Sequence, residues 1–125
     1  MVEITIFIAD DHPIFRSGLR QIIESESGLR VVGEADDGEA AYQGARQLKP
    51  DVIILDVNMP GMDGFEVAGK LRQSNLPVAV VFLTMYKDQE MVDSALDLGA
   101  RGYVLKSSAL TDIDDCVRAV SSGQH

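Results

Sequence analysis

The sequence predicts a single α/β domain in which helices cover both faces of a parallel sheet. Two observations lead to this prediction. Short apolar segments rich in branched residues alternate five times with longer segments that carry apolar residues at helical spacing. Strands in this order must run parallel and be joined by right-handed helical connections. In addition, the length of 125 residues is enough for one domain with a continuous core.

Each predicted strand is a short apolar run bounded by polar or turn-forming residues. The third run is apolar at consecutive positions, which is typical of a strand buried on both faces of a sheet. Pro60, Gly61 and Gly64 follow that run and predict an irregular turn. The predicted strands are Ile4–Ala9, Leu29–Ala35, Val52–Asp56, Val78–Thr84 and Gly102–Leu105.

Between the strands lie the predicted helices, which carry their apolar residues on one face. Pro13 is suited to the first turn of the first helix, and Pro50 ends the second, which is rich in alanine. The second and third helices are predicted at Gly38–Leu48 and Phe65–Gln73. The apolar stripes of the other helices consist of Ile14, Phe15, Leu19, Ile22 and Ile23, then Met91, Val92, Ala95, Leu96 and Leu98, and finally Leu110, Ile113, Cys116, Val117 and Val120.

Composition and charge exclude several classes of protein. Hydrophobic residues make up 46% of the chain and charged residues 25%, as in ordinary globular domains. The net charge of −9 disfavours direct binding to nucleic acid or to an anionic membrane. The single cysteine, Cys116, excludes an internal disulfide and suits a reducing compartment. Because the chain has neither an apolar segment of membrane-spanning length nor a signal peptide, we expect a cytoplasmic protein.

Polar side chains follow four of the predicted strands. Asp10 and Asp11 follow the first strand, Asp56 ends the third, Thr84 ends the fourth and Lys106 follows the fifth. The carboxyl ends of parallel strands meet at one edge of a sheet, where open α/β folds bind their ligands. We therefore expect these five residues to form one site.

The residue types in this expected site indicate phosphoryl chemistry. Three converging carboxylates repel one another, and a hard divalent cation relieves that repulsion. A site made of oxygen ligands suits Mg²⁺. Lys106 adds a positive charge and Thr84 a hydroxyl, so the set can surround a phosphoryl group during transfer. Asp56 would then be the nucleophile.

The order and spacing of these residues resemble the receiver domain of bacterial two-component response regulators, over essentially the whole chain. The resemblance implies a flavodoxin-like (βα)5 doubly wound sandwich with strand order 2-1-3-4-5. It also implies a phosphorylation-activated signalling switch that is not an enzyme, apart from self-catalysed phosphoryl transfer and autodephosphorylation. The residues that carry the resemblance are Asp10-Asp11, Asp56, Asn58-Met59-Pro60, Gly61, Gly64, Thr84 and Lys106.

The same resemblance implies a role for each site residue. A sensor histidine kinase would phosphorylate Asp56. Mg²⁺ would be held by Asp11, Asp56 and the backbone carbonyl of Asn58, with Asp10 acting through water.

Three further residues have roles implied by the resemblance. Thr84 and Lys106 would contact the phosphoryl group. Thr84 and Tyr103 would form a switch pair, in which Thr84 moves inward and Tyr103 turns toward the vacated space. This movement would reshape the face formed by the fourth helix, the fifth strand and the fifth helix.

The segment Asp10-Asp11-His12-Pro13 resembles the LuxR-type subfamily, whose members carry a C-terminal helix-turn-helix. We therefore assign residues 1–121 to the receiver domain and residues 122–125 to the start of a linker. We expect a DNA-binding output domain beyond residue 125, with phosphorylation favouring homodimerisation or releasing that domain. A stand-alone receiver that docks to a protein partner is the alternative.

Two positions depart from the commonest receiver pattern. Ser107 stands where a proline in a cis peptide often follows the lysine, and a cis bond without proline is costly. Met85 stands where a small residue often follows the switch hydroxyl, and its thioether could narrow access to Asp56.

Other classes of protein fit the sequence less well. A small Mg²⁺-dependent phosphatase with an aspartate nucleophile typically has a second acid two residues later, where this chain has Asn58. A nucleotide- or flavin-binding module would need a glycine-rich phosphate loop, and neither common motif is present. The complete set of acids, Thr84 and Lys106 argues against a receiver that is never phosphorylated. We expect His12 to be a solvated loop side chain, because no second histidine lies near it.

Overall fold

The computed structural model describes residues 3–85 and 88–121, in which strands and helices alternate throughout. The strands are β1 (Ile4–Ala9), β2 (Leu29–Ala35), β3 (Val52–Asp56), β4 (Ala79–Thr84) and β5 (Gly102–Leu105). The helices are α1 (Pro13–Glu24), α2 (Gly38–Leu48), α3 (Gly64–Gln73), α4 (Gln89–Asp97) and α5 (Lys106–Ser121). The predicted start of the linker, residues 122–125, lies outside the described residues.

The strands form one parallel sheet in the order β2-β1-β3-β4-β5, which confirms the predicted fold. Ile8 of β1 pairs with Ile54 of β3, and Ile54 pairs with Val81 of β4. Leu83 of β4 in turn pairs with Val104 of β5. Because all strands run in the same direction, their carboxyl ends lie along a single edge of the sheet.

A separate hydrophobic core packs against each face of the sheet. Helices α1 and α5 cover one face, with Leu19, Ile23 and Ile113 fully buried there. Helices α2, α3 and α4 cover the other face, where Phe82 is fully buried and packs edge-on against Phe65. Every residue of β3 is buried, as its continuous apolar run predicts. This central strand therefore holds Asp56 in a fixed position.

Three residues of the predicted apolar stripes are exposed to solvent rather than buried in the core. Ile14 is 89% exposed, and Leu96 and Leu110 are also largely exposed. Each helical residue is rotated by about 100° from the one before it, so Leu96 points well away from the buried Ala95. Likewise Leu110 follows the buried Ala109. The predicted apolar stripes of α1, α4 and α5 are thus wider than the surfaces of these helices that are buried.

The apolar stripe predicts the fifth helix but not the residue at which it begins. This helix begins at Lys106, directly after β5, whereas the apolar stripe begins only at Leu110. The peptide bond between Lys106 and Ser107 is trans, since the described residues contain no cis peptide. Lys106 therefore belongs to a regular helical turn.

None of the helices in the described ranges is long and apolar enough to cross a membrane.

The turn after β3 folds back tightly onto the end of that strand. The Gly64 amide donates to the Val57 carbonyl at 3.0 Å. A Cβ at Gly64 would lie only 2.4 Å from the backbone oxygen of Asp56, so this position admits glycine alone. Asp63 and Glu66 then form a reciprocal capping box that begins α3. These contacts fix the backbone on the carboxyl side of Asp56.

We predict that Gly64→Ala destabilises the fold by about 2 kcal/mol, because the new methyl group must displace backbone. Gly69→Ala is the matched control within the same helix. A Cβ there meets only Leu98, at an ordinary distance of 3.8 Å. That variant should be stabilised by up to about 1 kcal/mol, the helical preference for alanine. Denaturant unfolding of both variants checks this, and equal stabilities would contradict the proposed close approach.

Candidate functional site

The structure brings the polar strand ends together at one edge of the sheet. Asp10 follows β1, Asp56 ends β3, Thr84 ends β4 and Lys106 follows β5. The residue exposures are 0%, 1%, 0% and 9% in that order. Polar side chains so well shielded from water need partners within the protein. Asp11 is only partly buried and lies at the rim of the same cluster.

Lys106 joins the two buried carboxylates. Its Nζ lies 2.9 Å from Asp10 Oδ2 and 3.0 Å from Asp56 Oδ2. The ammonium also lies 5.0 Å from the centre of the Phe15 ring, a favourable cation–π distance. Sequence reasoning did not find this role of Phe15, because the residue was accounted for by the apolar stripe of α1. Lys106 is therefore held by α5, by two carboxylates and by an aromatic ring.

Asp56 is the most electrostatically perturbed acid of the site. Its pKa is raised from 3.8 to about 6, mainly by burial and in addition by the negative charge of Asp10. Hydrogen bonds from Lys106 and from the backbone amide of Asn58, which donates to Asp56 Oδ1 at 3.1 Å, oppose this shift. Removal of the carboxylate from water thus outweighs its hydrogen bonds. The site would gain from an additional cation.

Lys106 stays protonated and positively charged despite its burial. Burial lowers the pKa of the ammonium, but hydrogen bonds to Asp10 and Asp56 outweigh that effect and raise the pKa above its ordinary value of 10.5. The ammonium therefore remains a permanent positive charge beside Asp56 at any physiological pH.

The acidic cluster could hold a metal ion. One ligand atom from each of Asp10, Asp11, His12 and Asp56 lies within 4.8 Å of the others. Asp11 Oδ1 is buried and accepts no hydrogen bond within the described part of the chain. A buried carboxylate oxygen without a donor is an unfavourable arrangement that a cation would satisfy. The residues present therefore fit a divalent ion.

His12 differs from the expected solvated loop residue. Its side chain is 62% exposed, yet Nδ1 turns inward and lies 3.2 Å from both Asp10 Oδ1 and Asp11 Oδ1. Nδ1 is also 3.0 Å from Lys106 Nζ. The expectation relied on the absence of a second histidine, but the neighbours of this ring are acids and a lysine. The position of His12 between an acidic pair and Pro13 is the sequence feature that could have indicated this inward contact.

Arg16 supports the end of β1 and was also missed in the sequence. Its guanidinium donates to the Asp10 carbonyl at 2.6 Å and to Glu34 Oε1 at 3.0 Å. The arginine thereby joins the backbone of Asp10 to β2. Its place one helical turn into α1, on the side of the sheet edge, could have suggested this contact.

Thr84 and Tyr103 share one face of the sheet. Thr84 follows Leu83, which pairs with Asp56, while Tyr103 pairs with Phe82. Alternation along β4 places Thr84 on the same side as Phe82, so Thr84 and Tyr103 are diagonal neighbours. The Tyr103 hydroxyl is buried and finds no hydrogen-bond partner among residues 3–85 and 88–121. Met85, next to Thr84, is more than half exposed.

Residues 6–118 match the response regulator receiver domain family. Over 120 residues the chain is 40% identical to the nitrate/nitrite response regulator protein NarL of Escherichia coli K12, covering 96% of this chain and 56% of that protein. The chain thus spans little more than half the length of the curated relatives that it matches.

Two solved structures agree with this match. The receiver domain of the response regulator NarL from Mycobacterium tuberculosis has a TM-score of 0.95 and 38% identity, covering 99% of this chain and 100% of that chain. A two-component response regulator of the LuxR family from Aurantimonas has a TM-score of 0.93 and 34% identity, covering 98% and 88%. The chain therefore belongs to the response regulator receiver domain family, whose members are phosphoryl-accepting signalling domains, and its solved relatives include regulators of the LuxR family.

Proposed function

We propose that this chain accepts a phosphoryl group on Asp56 from a phosphohistidine of a sensor histidine kinase. The observation that carries this proposal is the buried Asp56 carboxylate with the Lys106 ammonium 3.0 Å away and a cluster of acids beside it. A nucleophile, a permanent positive charge and a cation-binding cluster are the components that phosphoryl transfer requires.

In the proposed reaction, an oxygen of Asp56 attacks the phosphorus atom while the bond from phosphorus to the donor imidazole breaks. The imidazole nitrogen keeps the electron pair and later takes a proton from solvent. An acyl phosphate then remains on Asp56. With a pKa of about 6, the carboxylate is mostly ionised at neutral pH and is ready to attack. In autodephosphorylation, water attacks the same phosphorus, the bond from phosphorus to the Asp56 oxygen breaks, and inorganic phosphate leaves while the carboxylate is restored.

We assign the metal ligands to Asp11, Asp56 and the backbone carbonyl of Asn58, with Asp10 acting through water. Mg²⁺ suits this set because all of the donors are oxygens. When bound, the ion would offset the negative charge of the phosphoryl oxygens and of the carboxylates.

Lys106 and Thr84 would receive the transferred group. The ammonium of Lys106, already beside Asp56, would donate to a phosphoryl oxygen. The hydroxyl of Thr84 lies at the end of the neighbouring strand and would move inward to do the same. Tyr103, whose buried hydroxyl has no partner in the described residues, would then turn toward the space that Thr84 leaves. The surface of α4, β5 and α5 would carry the signal.

Intact-mass measurement tests the phosphorylation site. Incubation with acetyl phosphate and Mg²⁺ should add one phosphoryl group to the wild-type chain and none to Asp56→Asn, because the amide is not a nucleophile. Asp36→Asn removes an exposed acid outside the cluster and should label as the wild type does. Persistent stoichiometric labelling of Asp56→Asn would refute the assignment.

Asp56→Asn should also stabilise the metal-free protein at neutral pH. The pKa of Asp56 is about 6 in the fold against 3.8 without it, so the unfolded chain loses this proton first as the pH rises. The stability that the protonated carboxyl provides is complete below about pH 4 and lost above about pH 6. This difference in pKa corresponds to a loss of about 3 kcal/mol in the free energy of unfolding at neutral pH. The variant should gain up to that amount there and almost nothing near pH 4.

Thermal unfolding at both pH values, with and without Mg²⁺, measures this gain. The ion should narrow the difference at neutral pH, since it binds the folded wild type and favours ionised Asp56. Asp36→Asn should show no comparable dependence on pH. A gain that is equal at both pH values would contradict the effect of burial, and a gain that Mg²⁺ leaves unchanged would contradict the metal site.

We further propose that the parent protein is a transcriptional regulator with a C-terminal helix-turn-helix. The relatives are about twice as long as the matched segment, and one solved relative is a DNA-binding response regulator of the LuxR family from Staphylococcus aureus. The acidic chain, with a net charge of −9, is unsuited to bind DNA itself. The reading frame beyond codon 125 should encode this domain, and a stop codon at that point would favour a stand-alone receiver.

A further inference from the structure

The beginning of α1 meets the Lys106 ammonium through the side chain of His12. Its Nδ1 lies 3.0 Å from Lys106 Nζ, although the two residues are 94 positions apart in the sequence. The ring nitrogen is farther from the Oδ1 atoms of Asp10 and Asp11, at 3.2 Å each. Because an ammonium can only donate hydrogen bonds, Nδ1 accepts here, and the proton of the neutral ring lies on Nε2.

The neighbouring carboxylates do not need a proton from this nitrogen. Asp10 Oδ1 already accepts a hydrogen bond from the backbone amide of His12 at 2.7 Å. Asp11 Oδ1 lies beside the ring without a hydrogen-bond partner in the described ranges, so the ring donates nothing to it. The short contact with Lys106 is therefore the interaction that accounts for the inward turn of the imidazole.

The backbone around His12 holds the imidazole in this place. Its amide is bound by Asp10, and its carbonyl accepts the Arg16 amide of α1 at 2.9 Å. Pro13 follows at the start of the helix, where its ring restricts the backbone. His12 occupies the N-cap, yet its side chain makes no capping hydrogen bond. Ser, Thr, Asp and Asn stabilise that position better, so the residue forgoes a cap and contacts Lys106 instead.

Lys106 has three ammonium hydrogens and three polar neighbours. Nζ lies 2.9 Å from Asp10 Oδ2, 3.0 Å from Asp56 Oδ2 and 3.0 Å from His12 Nδ1. Asp56 is the neighbour that the proposed reaction changes, since its carboxylate becomes an acyl phosphate. His12 is uncharged and does not react, so it can hold one hydrogen of this flexible side chain before and after transfer. The hydrogen that faces Asp56 can then follow the phosphoryl oxygen.

We propose that His12 is a positioning residue for phosphoryl transfer, because its Nδ1 accepts a hydrogen bond from Lys106 and so directs the ammonium toward the phosphoryl group on Asp56. The inference rests on the proposed function. Phe15, whose ring centre is 5.0 Å from the ammonium, adds a second contact from α1. A charge that is already in place stabilises the transferring group without reorganisation during the reaction.

Two substitutions separate the acceptor atom from the N-cap. His12→Ser and His12→Asn both provide a good N-cap, but only asparagine carries an acceptor, Oδ1, at the place of Nδ1. With Mg²⁺ and saturating acetyl phosphate at slightly alkaline pH, His12→Ser should lower the maximal rate of Asp56 phosphorylation about tenfold, the effect of losing one hydrogen bond to a charged group. The acetyl phosphate concentration that gives half the maximal rate should change little, because His12 does not hold the donor. His12→Asn should keep most of the wild-type rate.

The ammonium itself provides a readout that does not depend on phosphorylation. In a chain labelled with ¹⁵N-lysine, the Lys106 ammonium should give an NMR signal, because hydrogens held by shielded acceptors exchange slowly with water. The absence of this signal in Lys106→Arg identifies it. The signal should broaden or vanish in His12→Ser and persist in His12→Asn.

These measurements distinguish the inference from the proposed function. A wild-type rate and an unchanged ammonium signal in His12→Ser would overturn the role of His12. Equal losses in His12→Ser and His12→Asn would overturn it as well, since an acceptor at this place would then not matter. Failure of the wild-type chain to become labelled would refute the proposed function, and with it the role of His12 in transfer, whatever the ammonium signal shows.

Discussion

Two carboxylates buried at the ends of the central strands, with one ammonium between them, are the constraint on which this structure depends. Asp10 and Asp56 are shielded from water by the same sheet that positions them. Placing two like charges there is unfavourable unless a counter-charge is equally fixed. Lys106 is fixed, because α5 begins at that residue and Phe15 lies beneath the ammonium. Helix α5 is therefore part of the site as well as part of the core.

The surrounding strands, turns and helices hold this charged centre in place. The close approach of Gly64 to Asp56 and the capping box at Asp63 fix the chain after β3. Arg16 holds the Asp10 carbonyl and reaches Glu34, so β2 contributes although it carries no residue of the site. Each of these interactions stabilises the fold only modestly, but together they restrict the carboxylates to one arrangement.

How far the site could be predicted from the sequence follows from the kind of information each residue carries. Strand ends are encoded locally, since an apolar run must stop and a parallel sheet must align its carboxyl ends, and Asp10, Asp56, Thr84 and Lys106 were found in this way. The start of α5 could not be predicted, because Lys106 and Ser107 lack apolar periodicity, although they can be helical. The inward turn of His12 depends on neighbours from α5, which are 94 residues away. No local pattern reports such a contact.

The balance of charge explains why phosphorylation would change the shape of this site. Three carboxylates and one ammonium leave a net charge of about −2, which a divalent cation offsets in the unphosphorylated protein. An acyl phosphate replaces the single charge of Asp56 with about −2, so one uncompensated negative charge arises in a buried place. The acids, the lysine and the cation are already committed to one another. A movable hydroxyl dipole can offset part of this charge, and we propose this role for the hydroxyl of Thr84, which lies at the end of the adjacent strand. Its displacement would open space on the face that it shares with Tyr103, which links the chemistry to the surface.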